Sequence, residues 1–217
     1  MSSIKTVLFD LDGTLVDTAP DMAAALDMLC REEYQPLVPY EQVRPVVTNG
    51  SVALIMLAFG DVKDEKRLGY LKQRYLNIYL HNICKDSAPF EGIETVLDHI
   101  EHNGLNWGVV TNKPGWLTLP LMDKLQLVQR AATIVSGDTT ENSKPHPDPM
   151  HHACDEANSE SDECLYVGDA RRDIEAGKNA GMKTLVANYG YIGMNEDINT
   201  WGADAIINSP EEILLHL

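Results

Sequence analysis

The stretch VLFDLDGTLVDT, Val7–Thr18, runs an apolar segment straight into two aspartates, Asp10 and Asp12, and then a glycine. Thr6–Phe9 reads as a strand covered on both faces, because its apolar residues are continuous and do not alternate with polar ones. If strand geometry persists past Phe9, Asp10 and Asp12 project to the same side, and Gly13 lets the backbone turn sharply just beyond them. Two carboxylates so placed raise each other's proton affinity unless a cation sits between them. The pair therefore demands partners from elsewhere in the chain.

Further apolar, β-prone runs occur at Asn106–Val110, Ala132–Val135, Leu165–Val167, Thr184–Ala187 and Ala205–Ile207. Between them lie helical patterns such as IETVLDHIEHNG, where Ile93, Val96, Leu97 and Ile100 share a face and Gly104 supplies a stop. Alternating strand and helix predicts an α/β, Rossmann-like core: a parallel sheet with helices on both faces and ligands at the carboxyl ends of the strands. From Ala19 to about residue 86 the alternation stops. DMAAALDMLCREE, NGSVALIMLAFG and RLGYLKQRYLNIYL all carry helical periodicity. This predicts an all-helical insertion over 19–85 in a core formed by 1–18 and 86–217, with SAPFEG returning the chain to the sheet.

The 217 residues suit one medium domain or a core with an inserted subdomain. With 17 Lys and Arg against 33 Asp and Glu, the formal charge of −16 disfavours nucleic acid and anionic membrane. An anionic small substrate would need a local positive trap. Cys30, Cys84, Cys154 and Cys164 form no CxxC pair and read as reduced thiols. No apolar run reaches the ~20 residues of a membrane helix, and the chain enters its first strand without a signal peptide. A cytoplasmic protein is expected.

Three further segments carry polar groups at the ends of strands. GVVTNK ends one on Thr111 and Asn112, a hydroxyl and an amide suited to phosphate oxygens. NSKPHPDP sets Lys144 before Pro145, which biases its backbone towards an extended form. LYVGDARRD carries Asp169 at a strand tip and Asp173 one helical turn on. Each has an ordinary reading as a cap, a turn or a solvated charge. Together they describe one polar pocket with the hard oxygen ligands that suit Mg²⁺. In that pocket Asp10 would attack a phosphoryl group and Asp12 would shuttle protons. Thr111 and Lys144 would hold the phosphoryl oxygens, Asp169 would complete the metal site, and Asp173 would orient water or Lys144 from outside it. His151, His152 and Cys154 lack a complete zinc ligand set and read as a helical surface.

DLDGT, VVTN, SKP and GDARRD, in that order, resemble the four motifs of the haloacid dehalogenase superfamily in its Mg²⁺-dependent phosphatase branch. The resemblance spans the whole chain, and the helical stretch resembles that family's C1 cap. It implies that Asp10 is nucleophile and metal ligand, that Asp12 is acid/base and binds metal through its main-chain carbonyl, and that Asp169 is the third ligand. Asp12 and Asp169 argue against dehalogenation. FEGIETVLDHIEHNGLNWGVVTNKP is most similar to the phosphoglycolate phosphatase group. The tail NYGYIGMNEDINTWGADAIINSPEEI resembles the branch acting on N-acetylmuramic acid 6-phosphate. In the cap, RPVVTNGS sets Arg44, Asn49, Gly50 and Ser51 near the stretch that family members lower onto substrate, and Arg44 is a candidate for pairing with a substrate carboxylate. The expected partner is a small phosphorylated metabolite. Two rivals stand beside a phosphomonoesterase: a phosphomutase on the same scaffold, and a receiver-like signalling protein that keeps its phosphoryl group.

Overall fold

A computed structural model describes residues 3–193 and 196–217. Strand β1, Thr6–Phe9, is buried at every position and lies in the middle of a six-stranded sheet. Its neighbours are β4, Asn106–Val110, and β6, Cys164–Gly168, both parallel to it in register Thr6↔Asn106 and Thr6↔Cys164. Outward lie β5, Thr133–Val135, beyond β4, and β7, Lys183–Ala187, then β8, Ala205–Ile207, beyond β6. All five pairings are parallel. The strand order reverses on either side of β1, which opens a crevice at the carboxyl ends of the central strands. Helices α5 (Ile93–His102), α6 (Gly115–Lys124), α7 (Asp148–Ala157) and α8 (Arg171–Asn179) connect the strands. Ile93, Val96, Leu97 and Ile100 form the buried face of α5, as their spacing predicts.

Between β1 and β4 the chain builds α1 (Ala19–Glu32), α2 (Tyr40–Val43), a 3₁₀ turn over Arg44–Asn49, α3 (Gly50–Phe59) and α4 (Glu65–Asn82). Leu26 and Leu29 of α1 face Leu71, Tyr75 and Tyr79 of α4 in one continuous apolar core. Tyr40–Phe59 is long and apolar enough to match a membrane span by length and composition. The 3₁₀ turn and Gly50, at φ 80, break it into separate pieces. Asp21 ties the two ends of this helical segment together. Its buried carboxylate accepts from the N–H groups of Lys85, Asp86 and Ser87, each at 3.0 Å, and from the Ser87 hydroxyl.

The sequence expectation differs from the structure at SAPFEG. Ala88–Pro89 forms β3, which pairs antiparallel with β2, Val16–Asp17, in a ribbon of its own and does not rejoin the main sheet. Pro89 has no N–H to give a central ladder, and a two-stranded ribbon needs none from it.

Candidate active site

The site grows from the ends of β1, β4 and β6. Asp10 continues the sheet by one hydrogen bond, donating its N–H to the Val167 carbonyl at 2.9 Å. Its carboxylate meets Lys144, whose ammonium donates to Asp10 Oδ1, the Val110 carbonyl and Tyr166 Oη, each at 2.8 Å. Asp173 Oδ1 is an ion-pair partner at the same 2.8 Å. Burial alone would drive the proton off Lys144. Asp10 and Asp173 outweigh it and hold the ammonium above its ordinary pKa. The Lys144 backbone is pinned too. Asn112 Oδ1 accepts from its N–H, and Asn112 Nδ2 donates to its carbonyl, both at 3.0 Å. The Asn112 side chain, expected on phosphate oxygens, orients Lys144 through Oδ1 and one Nδ2 N–H, and as a lining residue of the cavity it keeps a second N–H.

Asp10, Asp169 and Asp173 bring carboxylate oxygens within 4.8 Å of one another, all buried. Asp169 Oδ2 accepts from the Tyr191 N–H at 2.8 Å, while its Oδ1 is buried without a hydrogen-bond partner. Burial, then the charges of Asp10 and Asp173, push the Asp169 carboxyl well above the usual carboxylate range. A hard divalent cation relieves that strain, and three buried carboxylates, two of whose oxygens, Asp169 Oδ1 and Asp173 Oδ1, accept no hydrogen bond, are the donor set it takes. The residues present fit Mg²⁺. Gly13, at φ 92, is part of the same construction, since a Cβ there would lie 2.2 Å from Asp169 Oδ2.

Asp12 lines the same cavity as Asp10 but has partners of its own. Its carboxylate accepts from Lys113 Nζ at 2.9 Å and from the Thr18 hydroxyl at 2.7 Å. Asp10 and Asp12 both line the cavity described below, although not through a continued strand. Strand geometry stops at Phe9, and a tight loop closes at once, with Leu15 N–H on Asp10 O and Val16 N–H on Leu11 O. The third carboxylate beside Asp10 and Asp169 comes from Asp173, expected only outside the metal site, while the Asp12 side chain has a setting of its own.

Lys113 is a further buried cation beside the strand-end residues. It donates to Tyr79 Oη at 3.1 Å and stands 4.5 Å over that ring. Burial opposes its charge, but Asp12 and Tyr79 outweigh burial and raise its pKa. Burial pushes Tyr79 up to about 12, with Lys113 pulling against it. The sequence carries a signal for it, since Lys113 precedes Pro114 just as Lys144 precedes Pro145, the same constrained setting.

A cavity of about 390 Å³ joins these groups to the helical segment. Asp10, Asp12, Thr111, Asn112, Lys113 and Lys144 line its sheet side, and Asn49, Gly50, Ser51, Lys72 and Leu76 line the other. Thr111 is buried beside Lys113, its hydroxyl accepting from that residue's N–H at 3.2 Å. Arg44 is the expected residue that the structure does not bring to the cavity. Its guanidinium donates to the Gly190 carbonyl at 3.1 Å and lies 4.9 Å over the Tyr191 ring. The guanidinium that does reach the cavity is Arg172, from α8, which donates to the Thr48 carbonyl and, at 3.0 Å, to the Thr48 hydroxyl.

Tyr191 connects these parts. While its N–H holds Asp169, its hydroxyl accepts from the N–H groups of Thr18 at 2.7 Å and Ala19 at 2.9 Å and donates to Asp17. It thereby caps α1, which has no side-chain cap of its own at Thr18.

Comparison with known proteins gives this arrangement a family. The chain is 40% identical over 211 residues to an N-acetylmuramic acid 6-phosphate phosphatase of Pseudomonas aeruginosa, covering 97% of this chain and 93% of that one. It is 37% identical over 209 residues to a phosphoglycolate phosphatase of Xanthomonas campestris, covering 96% and 94%. A crystal structure from Haemophilus somnus, described as a predicted phosphoglycolate phosphatase, superposes with a TM-score of 0.88 at 27% identity over 100% of this chain and 99% of that one. The family model for haloacid dehalogenase-like hydrolases matches residues 7–187, and the chain belongs to that family.

Proposed function

We propose that the protein is a Mg²⁺-dependent phosphomonoesterase acting on a small phosphorylated metabolite. The observation that carries this reading is the convergence of Asp10, Lys144, Asp169 and Asp173 at one end of the cavity, with Asp12 held separately by Lys113. Asp10 attacks phosphorus in line, forming an aspartyl phosphate, and the leaving alcohol takes a proton from Asp12. Asp12 then takes a proton from the water that attacks this intermediate, which releases inorganic phosphate and restores Asp10. Lys113 and Thr18 fix the direction in which the Asp12 carboxylate faces. Thr111 holds a phosphoryl oxygen, the fixed ammonium of Lys144 sets positive charge beside Asp10 where the phosphoryl group arrives, and Asn112 keeps Lys144 in place. Asp10, Asp169 and the main-chain carbonyl of Asp12 would hold Mg²⁺, with Asp173 beside it, supplying charge against the repulsion between carboxylate and phosphate.

Residues 1–18 and 86–217 act in this reading as the catalytic core, and 19–85 as a cap over the cavity. The names of the relatives point to 2-phosphoglycolate and N-acetylmuramic acid 6-phosphate as first candidates. A phosphate-release screen over both, together with common sugar phosphates, tests the reading. Release of free phosphate that needs Mg²⁺ and stops in EDTA is expected, and it separates a phosphatase from a mutase. No phosphate from any monoester, or full rates in chelator, overturns it.

A further inference from the structure

Four cations line the cavity: Lys72, Lys113, Lys144 and Arg172. Three are engaged by the protein itself. Lys144 is held by Asp10 and Asp173, Lys113 by Asp12, and Arg172 by Thr48. The Lys72 side chain has no hydrogen bond or ion pair among the described residues, in a chain with 33 acidic side chains available to 17 basic ones. A lysine on a solvated face would need no explanation. Lys72 is different because Leu76 and Tyr79, four and seven residues on along α4, line the same cavity, so this helix turns one face to it. Asn49 and Ser51 line the same cavity, and their side chains also lack polar partners among the described residues. The sheet side already supplies the groups that match a phosphoryl group. An ammonium left over on the opposite wall, beside an amide and a hydroxyl, matches a second and smaller anion on the organic part of the ligand.

We propose that Lys72, flanked by Asn49 and Ser51, recognises a carboxylate on the organic portion of the substrate, so that the enzyme selects phosphate monoesters of hydroxy acids and carboxylated sugars over monoesters that carry only the phosphate. This rests on the phosphomonoesterase reading above. Both compounds in the relatives' names meet the criterion, since phosphoglycolate has a carboxylate next to its ester carbon and N-acetylmuramic acid has one on its lactyl ether. The volume of about 390 Å³ leaves room beyond a two-carbon chain and favours the larger of the two.

The test compares kcat/KM for N-acetylmuramic acid 6-phosphate with that for N-acetylglucosamine 6-phosphate, the same ring without the lactyl carboxylate. Wild-type protein, Lys72→Met and Lys72→Arg are measured with Mg²⁺. Loss of one charge-assisted hydrogen bond is expected to cut the carboxylate preference of Lys72→Met about tenfold or more, chiefly through KM. Lys72→Arg is expected to retain most of it. Lys72 is exposed, so both variants fold, and circular dichroism confirms it. An unchanged ratio in Lys72→Met, or a wild type that turns over N-acetylglucosamine 6-phosphate as well as its carboxylated counterpart, overturns the proposal and leaves the phosphatase reading standing. A wild type that releases phosphate from no monoester removes both.

Discussion

On the sheet side of the cavity Lys144 directs all three N–H groups at protein oxygens, and Asn112 clamps its backbone from both ends. On the helical side the side chains of Asn49, Ser51 and Lys72 make no polar contact with protein among the described residues. The contrast separates two kinds of work. Charge that must be ready before the ligand arrives is fixed by buried partners, since reorganising it during a reaction would raise the barrier. Groups that discriminate between ligands stay free, because a donor already satisfied by protein has little to gain from substrate.

The sheet side breaks most completely at Asp10. Asp10→Asn keeps the shape but removes the attacking oxygen's charge, and turnover is expected to fall by about 10³-fold or more, with the circular dichroism spectrum unchanged. Activity within tenfold of wild type would take the nucleophile away from Asp10. A smaller effect is expected at Lys113, which orients a carboxylate and does not react. Lys113→Met leaves Asp12 with Thr18 as its remaining side-chain partner, and kcat should drop by about 10²-fold while KM changes little. A rise confined to KM would make Lys113 part of the binding wall.

The smallest effect sharpens the comparison by turning a catalytic cost into a gain in stability. Burial raises the Asp169 carboxyl above its unfolded pKa, so ionising it in the metal-free fold is unfavourable. The penalty is absent below about pH 4, where the unfolded chain is also protonated, and it grows as pH rises towards the folded pKa. In EDTA at neutral pH, Asp169→Asn is therefore expected to be more stable by about 1 kcal/mol, a rise in Tm of roughly 2–4 °C by calorimetry. The difference should vanish near pH 4. A lower Tm at neutral pH would mean that the Tyr191 N–H compensates the carboxylate fully.

Much of this was legible in the chain because it is written locally. Continuous apolar runs ending in Asp or Thr place β1, β4 and β6, and Asp10, Thr111 and Asp169 follow directly from those ends. Helical periodicity marks α1, α3 and α4. What stayed hidden depends on residues distant in sequence. Asp12 is held by Lys113, 101 positions on. Arg172 reaches the cavity through Thr48, 124 positions away, while Arg44 leaves it for Tyr191. The β2–β3 ribbon is two residues on each side, too short for any periodicity to register.

Tyr191 gives the segment after β7 a fixed length. Its backbone grips an acid of the core and its phenol grips the first turn of α1, so Asn188, Tyr189 and Gly190 must span a set gap between the end of β7 and that grip. Gly190 has no slack either, as a Cβ there would lie 2.3 Å from the Gly13 carbonyl oxygen. One residue inserted or deleted here would slide the phenol off α1 or the amide off Asp169. A short turn with only Asn188 exposed is thus closed to changes in length.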